Sequence, residues 1–102
     1  MNAFAVLAEP TRRRILDCLL DGERPVGELV ERLGISQPTV SKHLRVLREA
    51  GLVSARVDAQ HRRYRLEPEA LREIEAWLAP YRRLWTKHLD ALEDYLDRKE
   101  DP

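Results

Sequence analysis

A three-residue joint, Gly34-Ile35-Ser36, separates two amphipathic segments and limits what this chain can become. Before it, Val26, Leu29, Val30 and Leu33 recur at helical spacing, and Gly34 is suited to a left-handed C-cap. After it, Ser36 is a good N-cap, because its hydroxyl accepts from the free amides of a new first turn. Pro38 is tolerated there, since those amides have no helical partners. The second helix is expected from Ser36 to about Ala50, ending at Gly51. Two helices joined so tightly form a helix-turn-helix, in which the first braces the second.

The flanking sequence completes a mainly α fold. Ala3–Ala8 reads as a short apolar helix cut by Pro10. Thr11–Leu20 is expected to be helical, with Ile15, Leu16, Leu19 and Leu20 on its apolar side and Asp21-Gly22 as its stop. Beyond Gly51 the period changes. Leu52–Val57 and Arg62–Leu66 are short β-favouring runs around an Asp58-Ala59-Gln60-His61 turn, which makes a β-hairpin. From Glu69 to about Arg98 the chain turns helical again, with a kink or a break and restart expected near Ala79 because of Pro80. One domain over 1–102 accommodates all of this. It comprises helices and hairpin in 1–66, a C-terminal helix or kinked pair in 67–98, and a frayed tail in 99–102.

Total charge is zero, which at first argues against a nucleic-acid partner. The distribution reverses that argument. Residues 36–66 carry a net +5, whereas 1–35 carry −1 and 67–102 carry −4. A local basic patch binds phosphates whatever the total. On a helical wheel of the second helix, Val40, Leu44 and Leu47 face a core, and Pro38, Lys42, Arg45 and Glu49 lie opposite. Thr39, Ser41 and Val46 occupy the shoulders, with Gln37 in the first turn. Gln pairs with adenine, Lys and Arg with guanine, and Ser or Thr with bases or phosphate. His43 falls beside the core positions, where a packed or hydrogen-bonded ring and a phosphate contact are both open readings. The hairpin, rich in Arg56, Arg62, Arg63 and Arg65, then serves as a wing whose arginines, Arg56, Arg62 and Arg63 foremost, reach phosphates or a minor groove. Double-stranded DNA is the expected partner. A module that binds protein, or DNA without specificity, is the alternative. No Gly-rich phosphate loop, nucleophile–base pairing or carboxylate dyad points to an enzyme.

In the last segment Leu71, Ile74, Leu78, Tyr81, Trp85, His88, Leu92 and Tyr95 recur at three- and four-residue steps. That is a heptad-like seam suited to a homodimer interface, and a small-molecule pocket between subunits is the competing use of its aromatics. His88 there is an interface histidine or, if buried against like charge, a pH sensor. Cys18 is alone in the chain, so no intramolecular disulfide forms, and its apolar neighbours suit an inert buried thiol. A disulfide between subunits would be the other use of that thiol. With no signal peptide and no apolar run approaching the ~20 residues of a membrane span, a cytoplasmic protein is expected.

Three blocks of sequence resemble the ArsR-type (ArsR/SmtB) repressors. They are Leu7-Ala8-Glu9-Pro10-Thr11-Arg12, Val26-Gly27-Glu28-Leu29, and Ser36 through Leu44 with Leu47 and Ala50-Gly51-Leu52-Val53. The resemblance implies a dimeric winged helix that binds palindromic operators and represses, often at its own promoter. It also implies a dimer built from the first and last helices, which agrees with Phe4 and Leu7 in the apolar start and with the seam. The chain departs from the metal-sensing branch. Pro25 and Gly27 stand where that branch carries its paired cysteines, and His88 has only Asp90 near it where paired carboxylate and histidine ligands are needed. No metal or other cofactor is expected, and the chain is similar to the metal-independent autorepressors, whose last helix carries a like Trp/Tyr/Trp series.

Overall fold

The computed structural model describes residues 2–100. They fall into two compact units that divide after Arg72.

The first unit is built around a core of Val6, Ile15, Leu19, Leu29, Leu33, Val40, Leu44, Leu47, Leu52, Val53 and Tyr64. Helix α1 (Ala3–Leu7) starts at Asn2, whose Oδ1 accepts from the Ala5 amide at 2.8 Å, and it buries Ala3 and Val6. Helix α2 (Pro10–Cys18) opens with proline at its first position, where no amide is needed. It ends two residues short of the expected Leu20, which is left exposed while Leu19 is buried. Cys18 is half-buried against the core. Three arginines near the α2 start serve neighbouring helix ends, whose last carbonyls have no partner inside their own helix. Arg12 Nε donates to the Val6 carbonyl at 2.7 Å, Arg13 donates to that of Leu7, and Arg14 reaches that of Leu33 at 3.2 Å.

The helix-turn-helix forms as the sequence dictates. Helix α3 (Val26–Leu33) ends at Gly34 with φ +67°, and the Gly34 amide donates to the Val30 carbonyl at 2.9 Å. Helix α4 (Gln37–Glu49) begins at Ser36, whose Oγ accepts from the Thr39 amide at 3.4 Å and lies 2.9 Å from the Thr39 hydroxyl. Val40, Leu44 and Leu47 are all buried, as their wheel positions predict.

The hairpin is present, its first strand shifted one residue later and its second starting one residue earlier than expected. Strand β2 (Val53–Asp58) pairs antiparallel with β3 (His61–Leu66), and Leu52 is buried just ahead of β2. The turn needs a positive φ, which Ala59 adopts at 57°. A third strand, β1 (Arg24–Pro25), went unanticipated because two residues show no alternation. It pairs with β3 through Arg24 opposite Tyr64 and Pro25 opposite Arg63, giving the order β1-β3-β2. The expected helical start at Glu69 is instead a 3-10 turn, Pro68–Leu71. Leu71, read as a seam residue, thus precedes the last helix and packs against the core of the first unit.

Helix α5 (Arg72–Glu100) makes up the second unit from Glu73 onward. The expected break and restart near Ala79 does not occur: one helix runs through Pro80. An interior proline removes one backbone hydrogen bond, and the freed carbonyl belongs to Ala76, an exposed residue. Lys99 and Glu100 are helical rather than frayed, while Asp101 and Pro102 lie outside the described residues. No helix among the described residues is long and apolar enough to cross a membrane.

Candidate nucleic-acid interface

The outward face of α4 carries the sequence-predicted readers. Gln37, Pro38, Thr39, Ser41, Lys42 and Arg45 are all exposed, and burial of Val40, Leu44 and Leu47 beneath them fixes which way they point. Arg45 Nε donates to Glu49 at 3.2 Å one turn on, whereas Lys42 has no ion pair among the described residues. His43 is different. Its side chain is only 15% exposed, with Nε2 3.7 Å from the Glu9 carboxylate and Nδ1 buried without a hydrogen-bond partner among the described residues. The structure therefore places this predicted contact on the inner edge of the helix, in the packed position its wheel angle indicates.

Glu9 ties the two helices together. Its Oε2 caps α2 by accepting from the amides of Thr11 at 3.0 Å and Arg12 at 3.3 Å while facing His43. Partial desolvation works against the charge, but the two amides and the nearby His43 and Arg12 hold the carboxyl below its ordinary value of 4.5. Glu23 is lowered by hydrogen bonds from Arg56, and Glu67 by the Ser54 hydroxyl and by Arg65. A carboxylate depressed in the fold stabilises fully above its unfolded value, and that contribution disappears as pH falls through the folded value. These three groups should therefore leave stability unaffected between neutrality and pH 4.5 and erode it below. Thermal melts of the Glu9→Gln variant should show a shallower acid decline than the parent. An equally steep decline would remove Glu9 from the account.

On the wing, two-residue alternation sorts the arginines by face. Tyr64 is buried, with Ala55 opposite it, so their face looks to the core. The other face carries Ser54, Arg56 and Asp58 on β2 and His61, Arg63 and Arg65 on β3. Arg56 and Arg63, two predicted contacts, stand directly opposite each other there. Arg62, the third, projects to the other side, paired with exposed Val57 beyond the core. The structure thus unites two of the three and separates the third. Arg65, the fourth arginine of the hairpin, shares the outer face with Arg56 and Arg63.

The outer-face arginines are held by carboxylates. Arg56 Nε lies 2.9 and 3.1 Å from the two oxygens of Glu23, and its Nη2 also binds Oε1. Arg63 Nε donates to Asp58 at 3.0 Å, and Arg65 Nε to Glu67 at 3.1 Å and to Ser54 Oγ at 3.1 Å. Arg62 has no such partner among the described residues. Glu23 is the partner least visible in the sequence, being 33 positions from Arg56.

The model for bacterial regulatory proteins of the arsR family matches residues 9–55, from the Glu9 cap into β2. The HTH-type transcriptional regulator Rv2034 of Mycobacterium tuberculosis is 38% identical over 98% of this chain and 91% of its own length. The chain belongs to the ArsR family. It is a DNA-binding transcriptional regulator with the winged helix-turn-helix fold, in a family of regulators rather than enzymes. The transcriptional repressor SdpR of Bacillus subtilis is 35% identical, the match covering 76% of this chain and 86% of SdpR. A solved structure described as a possible transcriptional regulator for arsenical resistance aligns at a TM-score of 0.73 and 40% identity, covering 92% of this chain and 95% of that one.

A metal sensor needs clustered donors, within one protomer or across a dimer. Among the described residues, no three His, Cys, Asp or Glu side chains gather where an ion could bind. Cys18 is single, and His88 stacks on Trp85 at a 6.0 Å centroid distance. Zinc needs three or four ligands in register.

Proposed function

We infer that this ArsR-family regulator works as a homodimer, inserts one α4 per protomer into successive major grooves of an inverted repeat, and represses the gene it occupies. Repressors among its relatives, SdpR included, support the direction of control. The observation that carries the dimer is the exposed apolar stripe of α5. Trp77, Tyr81, Trp85, Leu89, Leu92, Tyr95 and Leu96 are all exposed, and at 3.6 residues per turn they lie on one side of the helix with Ile74, Leu78 and His88. So large an apolar surface marks an interaction site. On α1, exposed Phe4 and half-buried Leu7 present apolar side chains of their own. Two-fold symmetry then sets the recognition helices about 34 Å apart, one duplex turn.

Fluorescence anisotropy on the protein's own upstream region and on a scrambled duplex tests this reading, each titration run in chelator and again with zinc. Preferential binding that zinc leaves unchanged is expected. Equal affinity for both duplexes would exclude autoregulation through that region, and release by zinc would exclude metal independence. Once an operator is known, Lys42→Ala should flatten sequence preference, since a good base contact discriminates by about 1–3 kcal/mol. Arg62→Ala should weaken all duplexes alike and reduce the salt dependence. If Lys42→Ala leaves preference intact, α4 does not read bases through this residue.

A further inference from the structure

The wing's outer face contains an electrostatic conflict that the fold resolves in a particular way. Arg56 and Arg63 are cross-strand partners on one face, and like charges directly opposite destabilise a sheet. Each is offset by a carboxylate: Asp58 beside Arg63 within the hairpin, and Glu23 beside Arg56 from the segment that precedes β1. The Glu23 contact has two-oxygen geometry, with guanidinium nitrogens meeting both carboxylate oxygens. Arginine grips a phosphate by the same planar fork.

We propose that Glu23 is a specificity-determining residue, its carboxylate occupying on Arg56 the place a DNA phosphate would take and so restraining the wing's attraction for any duplex. The proposal rests on the reading that the wing's outer face meets phosphates. Phosphate contacts carry little sequence information, whereas the exposed side chains of α4 carry much. A wing with free arginines would hold the protein on every duplex. With Arg56 already satisfied, a phosphate gains only the difference between itself and Glu23. Binding then depends more on the base contacts of α4. Pairing of Arg63 with Asp58 and of Arg65 with Glu67 extends the same restraint along the face.

The test compares the full chain, Glu23→Gln, Arg56→Gln and the double variant on a scrambled duplex across a salt series. Glutamine keeps the shape and an accepting oxygen but loses the charge. Glu23→Gln should tighten scrambled-duplex binding roughly three- to tenfold at low salt and steepen the log–log salt slope by about 0.9 for each arginine released. The double variant should lose that gain, because the effect passes through Arg56. If Arg56→Gln weakens binding while Glu23→Gln leaves it unchanged, the wing meets phosphate but Glu23 does not compete, and the proposal is overturned. A gain that persists in the double variant also overturns it, since it would reflect net charge alone. If neither single variant alters affinity or slope, the phosphate-facing wing is itself wrong. A purely structural Glu23 would give a lower melting temperature with no gain in affinity.

Discussion

Substituting glutamate for Trp85 is expected to convert the protein to a monomer and to weaken operator binding by about 10²–10⁴-fold, the gain that linking two sites normally provides. Trp85 lies mid-way along the exposed stripe of α5, between Tyr81 and Leu89, with His88 stacked on it. An aromatic residue at an interface buries about 150–250 Å², and at about 25 cal/mol per Å² its loss removes several kcal/mol from association. A carboxylate in its place adds the cost of desolvating an unpaired charge. Lys87 lies on the opposite side of the helix, so Lys87→Glu serves as the control and should leave assembly unchanged. Sedimentation velocity at micromolar concentration decides the matter. A dimeric Trp85→Glu protein with unaltered DNA affinity would mean the subunits meet elsewhere.

The second large effect lies beneath the recognition surface. Leu44 is 1% exposed, on the inner side of α4 between Val40 and Leu47. Leu44→Ala should destabilise the first unit by about 2–5 kcal/mol, through lost transfer energy and the cavity left behind. Against a total stability of about 5–15 kcal/mol, that is a large share. The urea midpoint should fall with the slope unchanged. Arg45→Ala, one residue on but facing solvent with only an exposed Glu49 partner, should move that midpoint little. A loss below about 1 kcal/mol for Leu44→Ala would show that α4 is not seated on the core as described.

What the sequence made legible followed from local chemistry. Ser36 and Gly34 bound their helices because capping depends on the residue itself and its immediate neighbours. Val40, Leu44 and Leu47 were readable because helical periodicity and burial coincide. The misses have other causes. β1 is a strand only because β3 lies beside it, and no two-residue segment announces such a partner. The Glu23–Arg56 contact joins positions brought together by the whole fold, so neither residue's neighbours predict it. The division of Arg62 from Arg63 was available from strand alternation, but a charge count treats adjacent arginines as equivalent. At Pro80 one continuous helix runs on despite the helix-breaking rule, and Ala76, whose carbonyl loses its partner, is an exposed residue.

The central place of β3 has a consequence for the DNA as well as for the protein. This strand is flanked by β1, from ahead of the helix-turn-helix, and by β2, from just after it. Val53 and Tyr64 of the sheet belong to the same core as Leu44 and Leu47. The wing base and recognition helix therefore form one stiff template, leaving compliance to the hairpin tip around Ala59. A stiff reader cannot adjust its reach to each site, so any difference in groove spacing must be absorbed by bending or twisting of the duplex. Sequences that deform cheaply are then favoured at base pairs no side chain touches. Part of the operator's identity would thus be written in its flexibility rather than in its hydrogen-bonding edges.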